Sequence, residues 1–238
     1  MRTTRILTPL AVAIAAGAAL AAPMAASAET PSPSTSPHAP ASLSDVQARA
    51  TAAAGRQADA LTAEITRITA DTHLSDDDRT KALAILNDDL AGIHTLQSDI
   101  SAAATVKQVR DDVRTAASSY RVREVALPEV RWAARADAVT TTVLPRLQAE
   151  QTKLESALAK HSDKSTTALT DALNDLGTQI STVQSDANGL ATTALSLSPA
   201  TVAADEQTLA HVRDQVKAVD TAIHQANQDA KTVRTGLR

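Results

Sequence analysis

The chain has 238 residues, with 23 basic and 27 acidic side chains, a formal net charge of −4, no cysteine, no phenylalanine, one tyrosine and one tryptophan. Without cysteine, the protein has no disulfide, no thiolate metal site and no cysteine nucleophile. So few aromatic rings offer no stacking platform for single-stranded nucleic acid, and the mild acidity disfavours a polyanionic partner. We therefore expect no binding to nucleic acid.

Residues 1–28 have the three parts of a secretory signal peptide. A short basic start precedes an apolar stretch at 6–22, and small residues at 26–28 form a cleavage site. A transmembrane anchor is the alternative, but the stretch is rich in alanine and contains Pro9. We expect cleavage before Glu29, no transmembrane segment after that cleavage, and a mature protein that is secreted or associated with the cell wall.

Residues 29–43 form a tether rich in proline, serine and threonine, with four prolines between residues 30 and 41. Such a composition cannot bury apolar surface, so we expect an extended and disordered segment. It is either a solvated tail or a spacer through the cell wall that carries O-linked sugar.

Residues 44–238 have the apolar periodicity of helices. Apolar side chains recur at alternating steps of three and four, a period of about 3.5 that is typical of coiled-coil-like seams. In the first helix these positions are Val46, Ala50, Ala54, Ala58, Leu61, Ile65 and Ile68. The pattern predicts one all-α domain, an elongated antiparallel bundle of about five long helices.

Polar capping residues mark the expected helix starts. They are Ser44 with Gln47, Thr105 with Gln108, Ser75 before three aspartates, and Ser198 before Pro199. We interpret the aspartates at 76–78 as a helix start, because they lack the spacing and the glycine of a calcium loop. The glycines that fall inside periodic runs are expected within helices rather than at breaks: Gly55, Gly92, Gly177 and Gly189.

The segment from 105 to 147 is the irregular part of the chain. It contains Tyr120, Trp132 and Pro128, and eight basic residues against five acidic ones. Pro128 disfavours a helical conformation at the residue before it, and Pro145 is expected to kink the next helix. The segment is either a positive stripe for an anionic envelope polymer or a partner helix, or a packing element. In the packing interpretation, which we favour, the rings fill the gap at Pro128 and the arginines pair with acidic neighbours.

Asp137 falls on the inward seam of the helix that follows Pro128. A buried carboxylate is costly unless it is paired. We expect partners just before the proline, namely Arg121, Arg123 or the Tyr120 hydroxyl, in a structural network that fixes the bend. The alternative is that Pro145 rotates the seam and that Asp137 faces water.

Short motifs in this segment and nearer the C-terminus resemble a group of secreted helical proteins of high-GC Gram-positive bacteria. They are the Tyr-Arg-Val of residues 120–122 and the Leu-Pro of 127–128, together with Leu-Ser-Pro at 197–199 and Asp-Ala-Lys-Thr-Val at 229–233. The resemblance implies a secreted helical protein, and it carries over no catalytic residue.

The sequence contains no recognisable catalytic or metal-binding motif. The six histidines lack the helical spacing of a zinc site, and no phosphate-binding loop or nucleophile elbow is present. We therefore expect no cofactor, no metal and no catalytic residue. The leading hypothesis is a non-enzymatic bundle that acts through contacts with a protein or envelope component. The alternatives are a binding module for a lipid or hydrophobic peptide held between helices, and an enzyme of unknown class.

Overall fold

The computed structural model describes residues 41–238, so the expected signal peptide and nearly all of the expected tether lie outside the described residues. Within this part of the chain the fold is all-α, with no strand. The α-helices are α1 (Leu43–Ala70), α2 (Asp76–Ala102), α3 (Val106–Tyr120), α4 (Ala126–Ala138), α5 (Leu144–Lys160), α6 (Thr167–Ala187), α7 (Leu190–Ala194), α8 (Pro199–Ala204) and α9 (Glu206–Gly236). A π-helical turn (Val139–Val143) joins α4 to α5, and a 3₁₀ turn (Ser162–Lys164) follows α5.

Three of the four expected caps are confirmed, and the first is wrong. The side chains of Ser75, Thr105 and Ser198 accept hydrogen bonds from backbone N–H groups in the first turns of their helices. Helix α1 instead begins after Ser42, whose hydroxyl accepts the N–H of Asp45. Ser44 is therefore already helical, and the Gln47 side chain makes contacts with another helix.

The prediction for Gly189 is also wrong. This glycine has φ +72°, in the left-handed region that other residues rarely adopt, and it separates α6 from α7. The apolar residues on either side of Gly189 keep the helical periodicity, so the turn could not be recognised from the sequence pattern. The other three glycines lie within helices, as predicted.

Pro128 and Pro145, the two prolines of the irregular segment, each lie in the first turn of a helix. Pro128 is the third residue of α4, and Leu127 before it is helical, contrary to expectation. A proline in the first turn removes an N–H that has no partner within the helix, so the helix tolerates it. The chain bends earlier, at Arg121, which has φ 39°. Pro145 follows the π-helical turn (Val139–Val143), and the kink expected there stays a prediction.

The core consists of two clusters of aliphatic side chains, and α4 contributes to both. The first cluster joins α1, α2, α3 and one face of α4, including Val130 and Ala134. The second joins the opposite face of α4, including Ala133 and Ala136, to α5, α6, α7, α8 and α9. Helix α4 is therefore buried on most of its circumference.

Candidate functional site

An open groove between α1 and α3 has an apolar floor and a basic border. Its volume is about 490 Å³. The lining residues are Val46, Arg49, Ala50, Val109, Arg110, Val113, Arg114 and Ala117. Val113 is 37% exposed, which makes it the one large hydrophobic residue left exposed in the described part of the chain.

The spacing of residues along α3 produces this surface. Val109, Val113 and Ala117 are four residues apart and so lie on one face of the helix. Arg110 and Arg114 each follow a valine by one position, which places them along the border of the same face. The groove is thus an apolar row with cations one helical turn apart.

The basic border is only partly neutralised. Within residues 41–238, Arg49 and Arg110 make no ion pair and no side-chain hydrogen bond. Arg114 lies 3.1 Å from Asp111, but that carboxylate is also 2.6 Å from Lys107. Lys107 and Arg114 are both largely exposed, and exposed ion pairs of this kind have a small interaction free energy. The groove therefore keeps an excess of positive charge.

The arginines beyond α3 are mostly paired, as the packing interpretation expects. Glu64 is 4% exposed and is held by Arg67 at 2.6 Å and by Arg131 at 3.1 Å. Burial alone would raise the pKa of Glu64, but the hydrogen bonds from the two arginines hold that pKa below its ordinary value. Arg135 lies 2.6 Å from Asp220 on α9. These contacts join α4 to α1 through the buried Glu64 and, at the surface, to α9.

The five residues between α3 and α4 include two of the expected site residues, the half-buried Arg121 and the exposed Arg123. Arg121 ends α3 in a left-handed conformation, and its guanidinium lies 2.9 Å from Glu124. Arg123 is exposed and makes no ion pair within residues 41–238. Neither arginine contacts Asp137, so they do not form a network at the bend.

Tyr120 and Trp132 belong to different clusters, so the two rings do not fill one gap at Pro128. Tyr120 packs on the first cluster and covers Gly92 of α2, where a Cβ would overlap the phenol ring. Trp132 is half-buried and packs on the second cluster. Gly92 is thus required by the close approach of Tyr120.

The expected partners of Asp137 are wrong. Its Oδ2 accepts the backbone N–H of Ser75 at 2.9 Å, just before α2. Burial, together with Asp78 and Asp71 nearby, raises the pKa of Asp137, and the hydrogen bond from Ser75 opposes the rise. Asp137 is half-buried, and its hydrogen bond joins α4 to the start of α2 rather than to the bend near Pro128.

A pair of buried carboxyl groups lies between α2 and α4. Glu129 is 2% exposed, and its Oε2 has no hydrogen-bond partner. Burial, with a smaller effect of nearby Asp89, raises the pKa of Glu129 from 4.5 to about 8. Asp89 is half-buried and also has an oxygen without a partner, and burial with Asp88 next to it raises the pKa of Asp89 to about 6.

Two carboxyl groups with separated pKa values are the pattern of an acid–base pair in enzymes. A general acid must come within hydrogen-bond distance of its substrate, however, and Glu129 is almost completely enclosed. The geometry therefore supports a proton held in the core more than a catalytic group.

Residues 41–238 were also compared with the requirements of a metal site and of a membrane-spanning helix. Among residues 41–238, no group of three or more histidine, aspartate or glutamate side chains is placed to hold a metal ion. None of the helices described above combines the length and the hydropathy needed to cross a membrane. Comparison with known families, curated proteins and solved structures finds no match for this chain.

Sequence reasoning missed both the groove and the buried carboxyl pair. The only sequence signal of the groove was the excess of basic residues in the 105–147 segment, because nothing in the sequence places α1 beside α3. Glu129 did carry a signal: it lies between Leu127 and Val130 in a helix with apolar residues on nearly every face. Such a helix is enclosed on most of its circumference, so a carboxyl group on one of its enclosed faces is separated from solvent.

Proposed function

We propose that this protein is a secreted or cell-envelope-associated, non-enzymatic helical bundle that acts by contact with a protein or envelope component. The observation that carries the proposal is the α1–α3 groove, whose apolar floor includes the exposed Val113 and whose border includes Arg49 and Arg110, which make no ion pair within the described residues. Exposed apolar patches rimmed by polar groups are typical of interaction surfaces.

An antiparallel bundle with coiled-coil-like seams is part of this proposal. It is supported by Gln47, near the start of α1, whose side chain donates to the carbonyls of Ile100 and Ala103 at the end of α2. It is also supported by the five-residue connection between the two helices, which favours neighbouring helices that run in opposite directions.

A binding module for an amphipathic ligand, a lipid or a hydrophobic peptide held between helices, is the second candidate function. The observation in its favour is the size of the groove, because about 490 Å³ lies within the range of small-molecule sites. The groove is open along its length, whereas small-molecule sites enclose most of their ligand. We therefore rank this candidate below a contact surface.

Site-specific photocrosslinking in the producing cells tests the groove. A photoreactive amino acid at Val113 should give light-dependent adducts with another protein, and one at exposed Ala149 on α5 should not. Adducts of equal yield at the two positions, or none at Val113, would contradict the proposal. Lipid adducts at Val113 would support the second candidate instead.

Export is tested separately. We expect mass spectrometry of the protein from culture medium or cell wall to give an N-terminus at Glu29. A protein recovered with residues 1–28 intact would refute the expected cleavage, and recovery only from the cytoplasm would refute secretion.

A further inference from the structure

We propose that the α1–α3 groove binds an acidic amphipathic helix of a partner protein. This inference rests on the proposed function, in which the groove is the contact surface, and adds the class of partner. It is argued from the spacing of the apolar floor, the placement of the cations and the openness of the groove.

The apolar floor has the spacing that a helix recognises. Val109 and Ala117, with Val113 midway, are eight residue steps apart on α3, about 12 Å at 1.5 Å per residue. Val46 and Ala50 lie opposite them on α1, one helical turn apart. Side chains at four-residue steps on a third helix fit between such rows, as in helix-in-groove recognition.

The spacing of the arginines matches that of carboxylates placed one helical turn apart on a bound helix. Arg110 and Arg114 are separated by one turn on the α3 border, and Arg49 lies on the α1 border. A helix with glutamates at four-residue steps on either side of an apolar stripe places a carboxylate near each arginine. Charges on both borders also select the orientation of the bound helix.

The arrangement favours a helix over a lipid. A lipid carries its charge at one end and needs an enclosed apolar channel for its chain, whereas here the cations are distributed along an open groove. The protein's own residues 29–40 fit poorly, because they contain a single carboxylate, Glu29, and four prolines. Proline in a helix interior removes backbone hydrogen bonds, so the composition of this segment does not match the required acidic amphipathic sequence.

The test uses a designed peptide and the full chain. The probe is a fluorescent helix of about 18 residues, about 27 Å long, with leucines at four-residue steps and glutamates beside them. The matched peptide has lysines in place of the glutamates. The protein variant is Arg49→Glu with Arg110→Glu, and the control is Arg123→Glu with Arg146→Glu, which makes the same charge change at exposed arginines outside the groove.

We expect the acidic peptide to bind in fluorescence polarisation and the lysine peptide to bind at least about tenfold more weakly, with the preference reduced at high salt. The groove variant should lose about tenfold in affinity for the acidic peptide, and the control variant should bind as wild type does. Circular dichroism shows whether each variant is folded. If the groove variant does not fold, the conservative variant Arg49→Gln with Arg110→Gln takes its place.

Equal binding of the two peptides, or equal loss in the groove and control variants, would overturn the proposal. Binding of phosphatidylglycerol vesicles in preference to the acidic peptide would also overturn it and would favour a lipid. Protein crosslinks at Val113 without binding of the acidic peptide would leave the contact function in place and refute the partner class. Absence of crosslinks would refute the contact function itself.

Discussion

Replacing Glu129 by glutamine should flatten the dependence of stability on pH. The carboxyl group is 2% exposed and has an oxygen without a partner, so the folded protein strongly favours its neutral form. In the unfolded chain the same group is hydrated and ionises near its ordinary pKa. Folding is therefore coupled to the binding of a proton at this position.

The magnitude follows from the shift of the pKa from 4.5 to about 8. A group whose pKa is raised in the folded state contributes stability that is fully present below the unfolded pKa and is lost as the pH rises through the folded pKa. One pKa unit corresponds to about 1.4 kcal/mol, so the wild-type protein should lose about 3 kcal/mol of stability between about pH 5 and about pH 8. Asp89, whose pKa is raised to about 6, acts in the same direction with a smaller effect because it is half-exposed to solvent.

Urea unfolding followed by circular dichroism at several pH values and constant ionic strength measures this slope. The amide of Glu129→Gln does not titrate, so any offset in its stability is independent of pH, and the slope is the quantity to compare. Glu155→Gln, at an exposed position on α5, is the control and should keep the wild-type slope. Equal slopes for wild type and Glu129→Gln would refute the reasoning, because the proton would then be bound elsewhere.

Two further predictions concern packing and helix starts, and both are checked by thermal unfolding. Gly92→Ala should destabilise the protein by about 1–2 kcal/mol, because its Cβ displaces the ring of Tyr120. Gly55→Ala, whose Cβ would lie no closer than 3.8 Å to any neighbour, should stabilise it by about 0.5–1 kcal/mol. Gly92→Ala in a Tyr120→Ala background should cost nothing, and a cost that persists there would place the clash elsewhere. Asp137→Ala should cost about 1–3 kcal/mol by removing the acceptor of the Ser75 N–H, whereas Asp137→Asn, which keeps an acceptor oxygen, should cost less than about 1 kcal/mol; equal losses in the two variants would show that this bond does not stabilise the fold.

The helical class could be read from the sequence because periodicity and caps are local properties. Ser75, Thr105 and Ser198 act on backbone groups within three residues, and no distant contact is needed to recognise them. Gly189 shows where local reasoning fails. Its apolar neighbours maintain the periodicity across it, and only the packing of α7 on α4 requires the chain to turn there.

The contacts between helices could not be predicted, because periodicity identifies a buried face without identifying what covers it. Asp137 was correctly expected to be half-buried, but its partner is a backbone N–H that lies 62 residues away in the sequence. The α1–α3 groove could not be predicted for the same reason. Val46 belongs to the apolar seam of the first helix, yet the fold leaves a surface that it shares with Val113 uncovered between their helices.

The position of α4 between the two clusters also bears on how the protein unfolds. Loss of either cluster exposes one face of a helix whose opposite face still belongs to the other cluster, so neither half can melt without weakening its neighbour. Trp132 reports on the second cluster and Tyr120 on the first. The chain thus carries one intrinsic fluorophore for each half, and coincident loss of the two signals is the signature of a single cooperative unit.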